Sequence, residues 1–157
     1  MKNAQQWIDD LQLTEHPEGG YYKETIRDAD SQRAPFSSIY FLLTHNNISH
    51  FHRIDADEVW YYHAGDSLTI HMITPEGDYR TAQLGPNIQN GDVLQFLVPK
   101  GTIFASSVEH QNDYCLVGCM CQPAFEFEHF ELFEQQQLIE MYPHLTQIIQ
   151  QYALKEI

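Results

Sequence analysis

The sequence predicts an all-β domain, a sandwich or barrel, with helices at both ends, and three observations carry that expectation. From Ser37 to Cys121 the chain runs in short segments rich in Ile, Val, Phe, Tyr and Thr, side chains that suit a pleated, half-buried surface. Gly, Pro and Asn signals separate these segments at the regular intervals of all-β domains. Before and after this stretch, apolar residues recur at helical spacing instead. The length of 157 residues fits one domain, 1–157, with a single core.

Each element follows in order. Residues 3–13 place Trp7, Ile8 and Leu11 on one helical face, and His16-Pro17-Glu18-Gly19-Gly20 stops the helix in a turn. Strands are expected near 37–45, 48–54, 58–63, 67–73, 79–84, 92–98, 102–107 and 114–121, inside a barrel region of about 20–122. Thr74-Pro75-Glu76-Gly77-Asp78 has the chemistry of a hairpin turn, and Gly85-Pro86-Asn87 and Asn90-Gly91-Asp92 punctuate the next connection. Helices are expected again over about 128–154, where Leu145, Ile148, Ile149 and Tyr152 form a stripe that covers the β core. The apolar run Ile39-Tyr40-Phe41-Leu42-Leu43 reads as an edge strand in need of cover, which predicts a homodimer.

Charge narrows the partners. Against 22 Asp plus Glu stand 8 Lys plus Arg, a formal charge of −14, so a nucleic-acid surface is not expected. The N-terminus lacks a signal-peptide pattern and no apolar run is long enough to span a bilayer, so the expectation is a cytoplasmic protein without a membrane partner. Cys115, Cys119 and Cys121 share one face of one apolar strand and read as reduced core thiols. Lys23, Arg27, Arg33 and Arg53 cluster in sequence and suit surface ion pairs or an anionic substrate group.

The chemistry concentrates between Ser49 and Gly65. His50 and His52 lie on one face of a strand by its period of two, and a tight turn before the next strand brings Glu58 to the same space. Two imidazole nitrogens and one carboxylate serve either a divalent metal or proton transfer. By alternation from Glu58, Trp60 and Tyr62 face inward and His63 outward; His63 and His71 read as structural or solvent-facing. Gln95, an amide within an apolar strand, is expected either to touch ligand or to be bonded within the protein. Gly19-Gly20 suits a loop over a pocket mouth.

The pattern HxH(x)5E(x)6G from His50 to Gly65 resembles the first motif of the cupin superfamily. Where the second motif carries a histidine, this chain has Phe104, whose ring has no lone pair; a metal on His50, His52 and Glu58 would need Gln95, His110 or water to complete its shell. The flanks His16-Pro17-Glu18-Gly19-Gly20-Tyr21-Tyr22, Asp57-Glu58-Val59-Trp60, Val98-Pro99-Lys100-Gly101 and Leu116-Val117-Gly118-Cys119 are similar to the cupin-5 group, over roughly residues 5–145. The resemblance implies a double-stranded β-helix (jelly-roll) barrel, often dimeric, with a pocket and no firmly assigned general activity. In that group an aromatic usually stands at the position of Phe104. Two departures are Tyr61, where many members have His, and Pro123-Ala124-Phe125 in place of Pro-Gly-Phe.

These readings together predict a small-molecule-binding cupin whose pocket holds a polar ligand between His52 and Glu58, the catalytic pair, and Trp60, Tyr62, Gln95 and Phe104, the ligand-binding walls. The leading expectation is a metal-independent isomerase or epimerase-like enzyme acting on a carbohydrate-like compound, with no cofactor. A metal-dependent cupin using His50, His52 and Glu58, and a non-enzymatic binding or sensory module, are the alternatives.

Overall fold

Alternation of apolar and polar side chains sorts the strands into two antiparallel sheets that face each other across one apolar layer. A computed structural model describes residues 1–28, 32–111 and 113–157. Helix α1 (Ala4–Leu11) begins at Asn3, whose side chain accepts the Gln6 N–H while the Gln6 side chain accepts the Asn3 N–H. Then follow β1 (Thr14–Glu15), β2 (Tyr21–Arg27), β3 (Ser37–Thr44), β4 (Ser49–Ile54), β5 (Asp57–Gly65) and β6 (Leu68–Ile73). They continue as β7 (Tyr79–Leu84), β8 (Gln95–Val98), β9 (Ile103–Ser107), β10 (Tyr114–Gln122) and β11 (Phe130–Leu132), and the chain closes with α2 (Gln135–Met141) and α3 (Thr146–Tyr152).

The first sheet has the order β1-β2-β3-β10-β5-β8, and the second β11-β4-β9-β6-β7. Between them lie Phe41, Leu43, Trp60, Ile70, Met72, Phe104, Val117 and Cys119, all buried. On the outside of the first sheet, α1 covers Leu42 and Leu116. On the outside of the second, Leu138, Ile149 and Tyr152 bury against Phe51 and Ile73. Each such burial stabilises the fold by about 1.5–3 kcal/mol, so both ends of the chain are part of the barrel's stability.

Three expectations need correction. The apolar run 37–45 forms β3, which lies between β2 and β10 rather than at an edge, so its hydrophobic residues are covered within the chain and the edge-strand argument for a homodimer falls away. Residues 21–27, read only as the sequel to a turn, form β2, whose polar outer residues hid its pairing with β3. Near 128 only a single 3₁₀ turn forms, Phe127–His129, and the α-helices start at Gln135, because residues 130–132 pair with β4 as β11.

His71 shows how the second sheet holds the C-terminal helices. Its ring stacks on Tyr152 with centroids 3.8 Å apart, Nδ1 meets the Tyr79 hydroxyl at 2.7 Å, and Nε2 meets Ser107 Oγ at 2.8 Å. Since Ser107 donates to Glu109, Nε2–H donates to Ser107 and Nδ1 accepts from Tyr79. Burial holds this imidazole at about 4, below its ordinary 6.5, against the opposing pull of Glu109. The folded chain therefore takes up this proton later than the unfolded chain, and the stability contributed is complete above 6.5 and lost as the pH falls from there toward 4. Replacing His71 by Ala is expected to cost about 1–3 kcal/mol at neutral pH, because Tyr79 and Ser107 lose their partner. Thermal melts across this pH range should show less acid loss in the variant than in the parent; parallel curves would contradict the assignment.

Candidate functional site

The site begins in the turn between β1 and β2. Gly19 has φ 109°, and a Cβ there would stand 1.8 Å from the Ile48 carbonyl oxygen, so only glycine lets this turn lie against the start of β4. That approach brings the Glu18 carbonyl to His50, which donates to it twice, from its backbone N–H at 2.8 Å and from Nδ1 at 2.7 Å. Asn47 Oδ1 accepts the Gly20 N–H at 2.9 Å and closes the other side. The loop is thus fixed with the Glu18 carboxyl group turned into the barrel, where only 7% of the residue is exposed.

His52 meets it there. Its Nδ1 lies 2.7 Å from the His50 carbonyl oxygen, and a carbonyl only accepts, so Nδ1 carries the proton and Nε2 presents a lone pair. That nitrogen is 3.0 Å from Glu18 Oε2. Two lone pairs at this distance require a proton between them, and the buried Glu18 carboxyl group, pushed up by desolvation, supplies it. Ser49, fully buried, donates its hydroxyl to the same oxygen. On the other side Glu18 Oε1 is 3.2 Å from His16 Nδ1, which also accepts the Glu18 N–H at 3.1 Å. Burial holds both imidazoles down, His52 to about 4.

Glu58, on β5, lines the same enclosed space, with Tyr22, Ser37, Ile39, Ile54, Cys119, Cys121 and Phe125. Burial pushes its carboxyl group up to about 8, against a hydrogen bond from the Cys119 thiol, and a charge on Glu18 pushes the same way whenever that group is ionised. Burial therefore favours the protonated form of both carboxyl groups, with the Glu18 proton directed at His52 Nε2, and the neutral form of both imidazoles. Its enclosed volume of ≈ 20 Å³ is room for about one water molecule. Phe125, Phe127 and Phe130 close over it, each within about 6 Å of the His16 ring.

Of the residues expected from the sequence, the structure places His52 and Glu58 in one cavity, and puts others elsewhere. His50 is not among the residues that line this cavity; its Nδ1 is bonded to the backbone of Glu18. Trp60 is in the core against Phe41 and Phe104, 1% exposed, not on the cavity wall. Phe104 is equally buried but touches the site from behind, its ring centroid 4.2 Å from that of His52. Tyr62 faces inward as alternation predicts, yet two positions farther along β5, where its hydroxyl donates to the Gly65 carbonyl at 2.6 Å in a different cleft. Gln95 pairs in register with Tyr61, not with an inward residue, and so lies exposed on the outer face.

The sequence reading missed His16, Glu18 and Ser49. It took residues 16–20 as a cover for the pocket, and the signal it passed over was a histidine and a carboxylate two apart within that cover. Lys23, Arg27, Arg33 and Arg53 reach neighbouring side chains, with Arg27, Arg33 and Arg53 in ion pairs with Glu24, Asp55 and Glu131. Arg33 also donates to the Ala124 carbonyl, fastening the segment that carries Phe125.

A divalent metal does not fit the expected donor set. Among the described residues, the groups of three ligand atoms within 4.8 Å of one another are Asp66, His110, Asp113 and Glu126, Glu128, His129, both largely exposed. His50, His52 and Glu58 form no such group, and His52 Nε2 is engaged by Glu18.

Comparison with known proteins agrees with this architecture. The cupin superfamily group DUF985 matches residues 5–133. A structure of protein SO0799 from Shewanella oneidensis is 50% identical over 99% of this chain and all of that one, with a TM-score of 0.94. A hypothetical protein from Leishmania major is 40% identical over 98% of this chain and 99% of its own, with a TM-score of 0.91. An uncharacterized protein from Saccharomyces cerevisiae is 30% identical, with 80% of this chain and 73% of that protein covered. Oxalate decarboxylase from Bacillus subtilis shares the fold alone, at 13% identity and a TM-score of 0.59 over 37% of its length. No helix of the described residues is long and apolar enough to cross a membrane. With its family match over most of the chain and its two facing antiparallel sheets, the protein belongs to the cupin superfamily, in the DUF985 group, and has the jelly-roll fold.

Proposed function

We propose that the cavity between the two sheets binds the reactive part of a small, polar, carbohydrate-like molecule and moves a proton on it, as an isomerase or epimerase does without a metal. The observation that carries this reading is the contact of His52 Nε2 with Glu18 Oε2 at 3.0 Å, with the opposite nitrogen locked on a carbonyl. Such a pair exchanges one proton between two positions. When Glu18 gives its proton to His52, its carboxylate becomes the base that removes a proton from the carbon beside a carbonyl. Glu58, still protonated at neutral pH, gives its proton to that carbonyl oxygen, and the return steps at the neighbouring carbon complete an exchange of carbonyl and hydroxyl. Two carboxyl groups in one cavity, one placed to pass its proton to an imidazole and one that keeps its own, are what this division of roles needs.

Admission of a ligand requires the cover to part, since the enclosed volume is water-sized. The movable part is the exposed Phe127 side chain; the segment carrying Phe125 is fastened by Arg33 and Ser37, and the Gly19-Gly20 turn is clamped by His50 and Asn47. Once open, Tyr22 and Phe125 supply flat walls for a sugar ring.

Two measurements test this reading. Incubation with a panel of aldoses and ketoses in deuterium oxide should install one solvent deuteron on carbon in a substrate, and Glu18→Gln should slow that exchange by at least about a hundredfold. Exchange that is undiminished in Glu18→Gln would remove the dyad from the mechanism. A panel that shows no exchange yet does show saturable binding would favour a binding module. The protonation of Glu58 is tested through stability: its carboxyl group ionises at 4.5 when unfolded and at about 8 when folded, so the chain should lose stability as the pH rises through that interval. Glu58→Gln should flatten this part of the profile, and an unchanged slope would show that Glu58 is ionised in the folded chain.

A further inference from the structure

The barrel is not closed along its second seam. The edge strands β7 and β8 meet at one end, where Leu84 bridges to Val93 and the Gly85 and Val93 N–H groups bond across. Toward the other end they part, and an opening of ≈ 340 Å³ lies between them, within the range of small-molecule sites. Its walls are apolar: Met72, Pro75, Phe96, Leu97 and Pro99.

Two cations stand at this opening. Arg80 is the register partner of Met72, a core residue, so it stands on the same face of β7 as Ala82 and Leu84, which follow it, and its side chain is exposed at the opening. Lys100 follows β8, its backbone N–H bonded to Asp57. Lys2, Lys23, Arg27, Arg33 and Arg53 all have side-chain partners; among the described residues Arg80, Lys100 and Lys155 have none, and the first two line the same opening. In a chain of formal charge −14, two unpaired cations on separate elements beside one apolar opening are a departure from its general pattern. Glu76 lines the opening too, without bonding to either. An inward charge on an edge strand also blocks the addition of another strand, but that role needs neither a second cation nor an apolar cleft.

We propose that this seam is a second ligand site, separate from the enclosed cavity, which takes a small amphiphile with an apolar tail and one carboxylate. The tail lies on Phe96, Leu97 and Met72, and the carboxylate is taken by the Arg80 guanidinium and the Lys100 ammonium group, donors that suit a planar anion.

Calorimetric titration with octanoate, below the concentration at which it aggregates, tests the site. One saturable event per chain is expected, weakened at least about tenfold in Arg80→Ala/Lys100→Ala and unchanged in Glu18→Gln. Arg80→Gln/Lys100→Gln serves in its place should the first variant not fold. Absence of saturable binding, equal binding of neutral octanol, an affinity unchanged in the double variant, or loss of binding in Glu18→Gln would each overturn the proposal. The last two outcomes leave the proton-transfer reading of the enclosed cavity untouched.

Discussion

The site depends on one carbonyl group. The Glu18 backbone oxygen accepts both the N–H and the Nδ1–H of His50, and these two bonds turn an otherwise free loop into a fixed wall of the barrel. The carbonyl of His50 then accepts Nδ1–H of His52 and so decides which nitrogen of that ring faces Glu18. Backbone acceptors thus determine the tautomers of two histidines in sequence, and the protonation of a carboxyl group follows from them. Because Glu18 and His52 are buried, the bonds that fix them act in a low dielectric and would be costly to break.

The barrel supplies the rest. Cys119 and Cys121 alternate inward along β10 and give the cavity a floor of small, weakly polar atoms, with burial raising both thiols so that neither is a nucleophile at neutral pH. Phe104, behind His52, closes the side from which a further metal ligand would approach, and its ring instead supports the imidazole. The cavity is consequently a place for neutral, hydrogen-bonding acid and base groups. Its departure from a metal centre lies in the engagement of His52 Nε2 by Glu18, not only in the residue at 104.

Much of the fold was legible because strands with one buried face keep period two: β4, β5, β6 and β10 lie close to their expected spans. β2 was not, since its solvent-facing polar residues carry no alternation and its pairing with β3 is a long-range contact. His52 and Glu58 were legible from spacing, for the tight turn between β4 and β5 is local. Their partner was not: Glu18 reaches His52 only because Gly19 allows its turn to touch Ile48, a contact across more than one strand that no local pattern encodes. Gln95 and Tyr62 misled for a simpler reason, the exact register of β8 on β5 and the distance travelled along one strand, which alternation alone does not give.

The central claim is that His52 is neutral, protonated on Nδ1, with Nε2 receiving the proton of Glu18. Nitrogen-15 nuclear magnetic resonance of the histidine side chains, followed from neutral pH into acid, reads this directly. A protonated Nδ1 and an unprotonated, hydrogen-bonded Nε2 for His52, persisting until the pH nears about 4, is the result the account requires. An Nε2–H tautomer, or an imidazolium already formed at its ordinary pKa of 6.5, would contradict it.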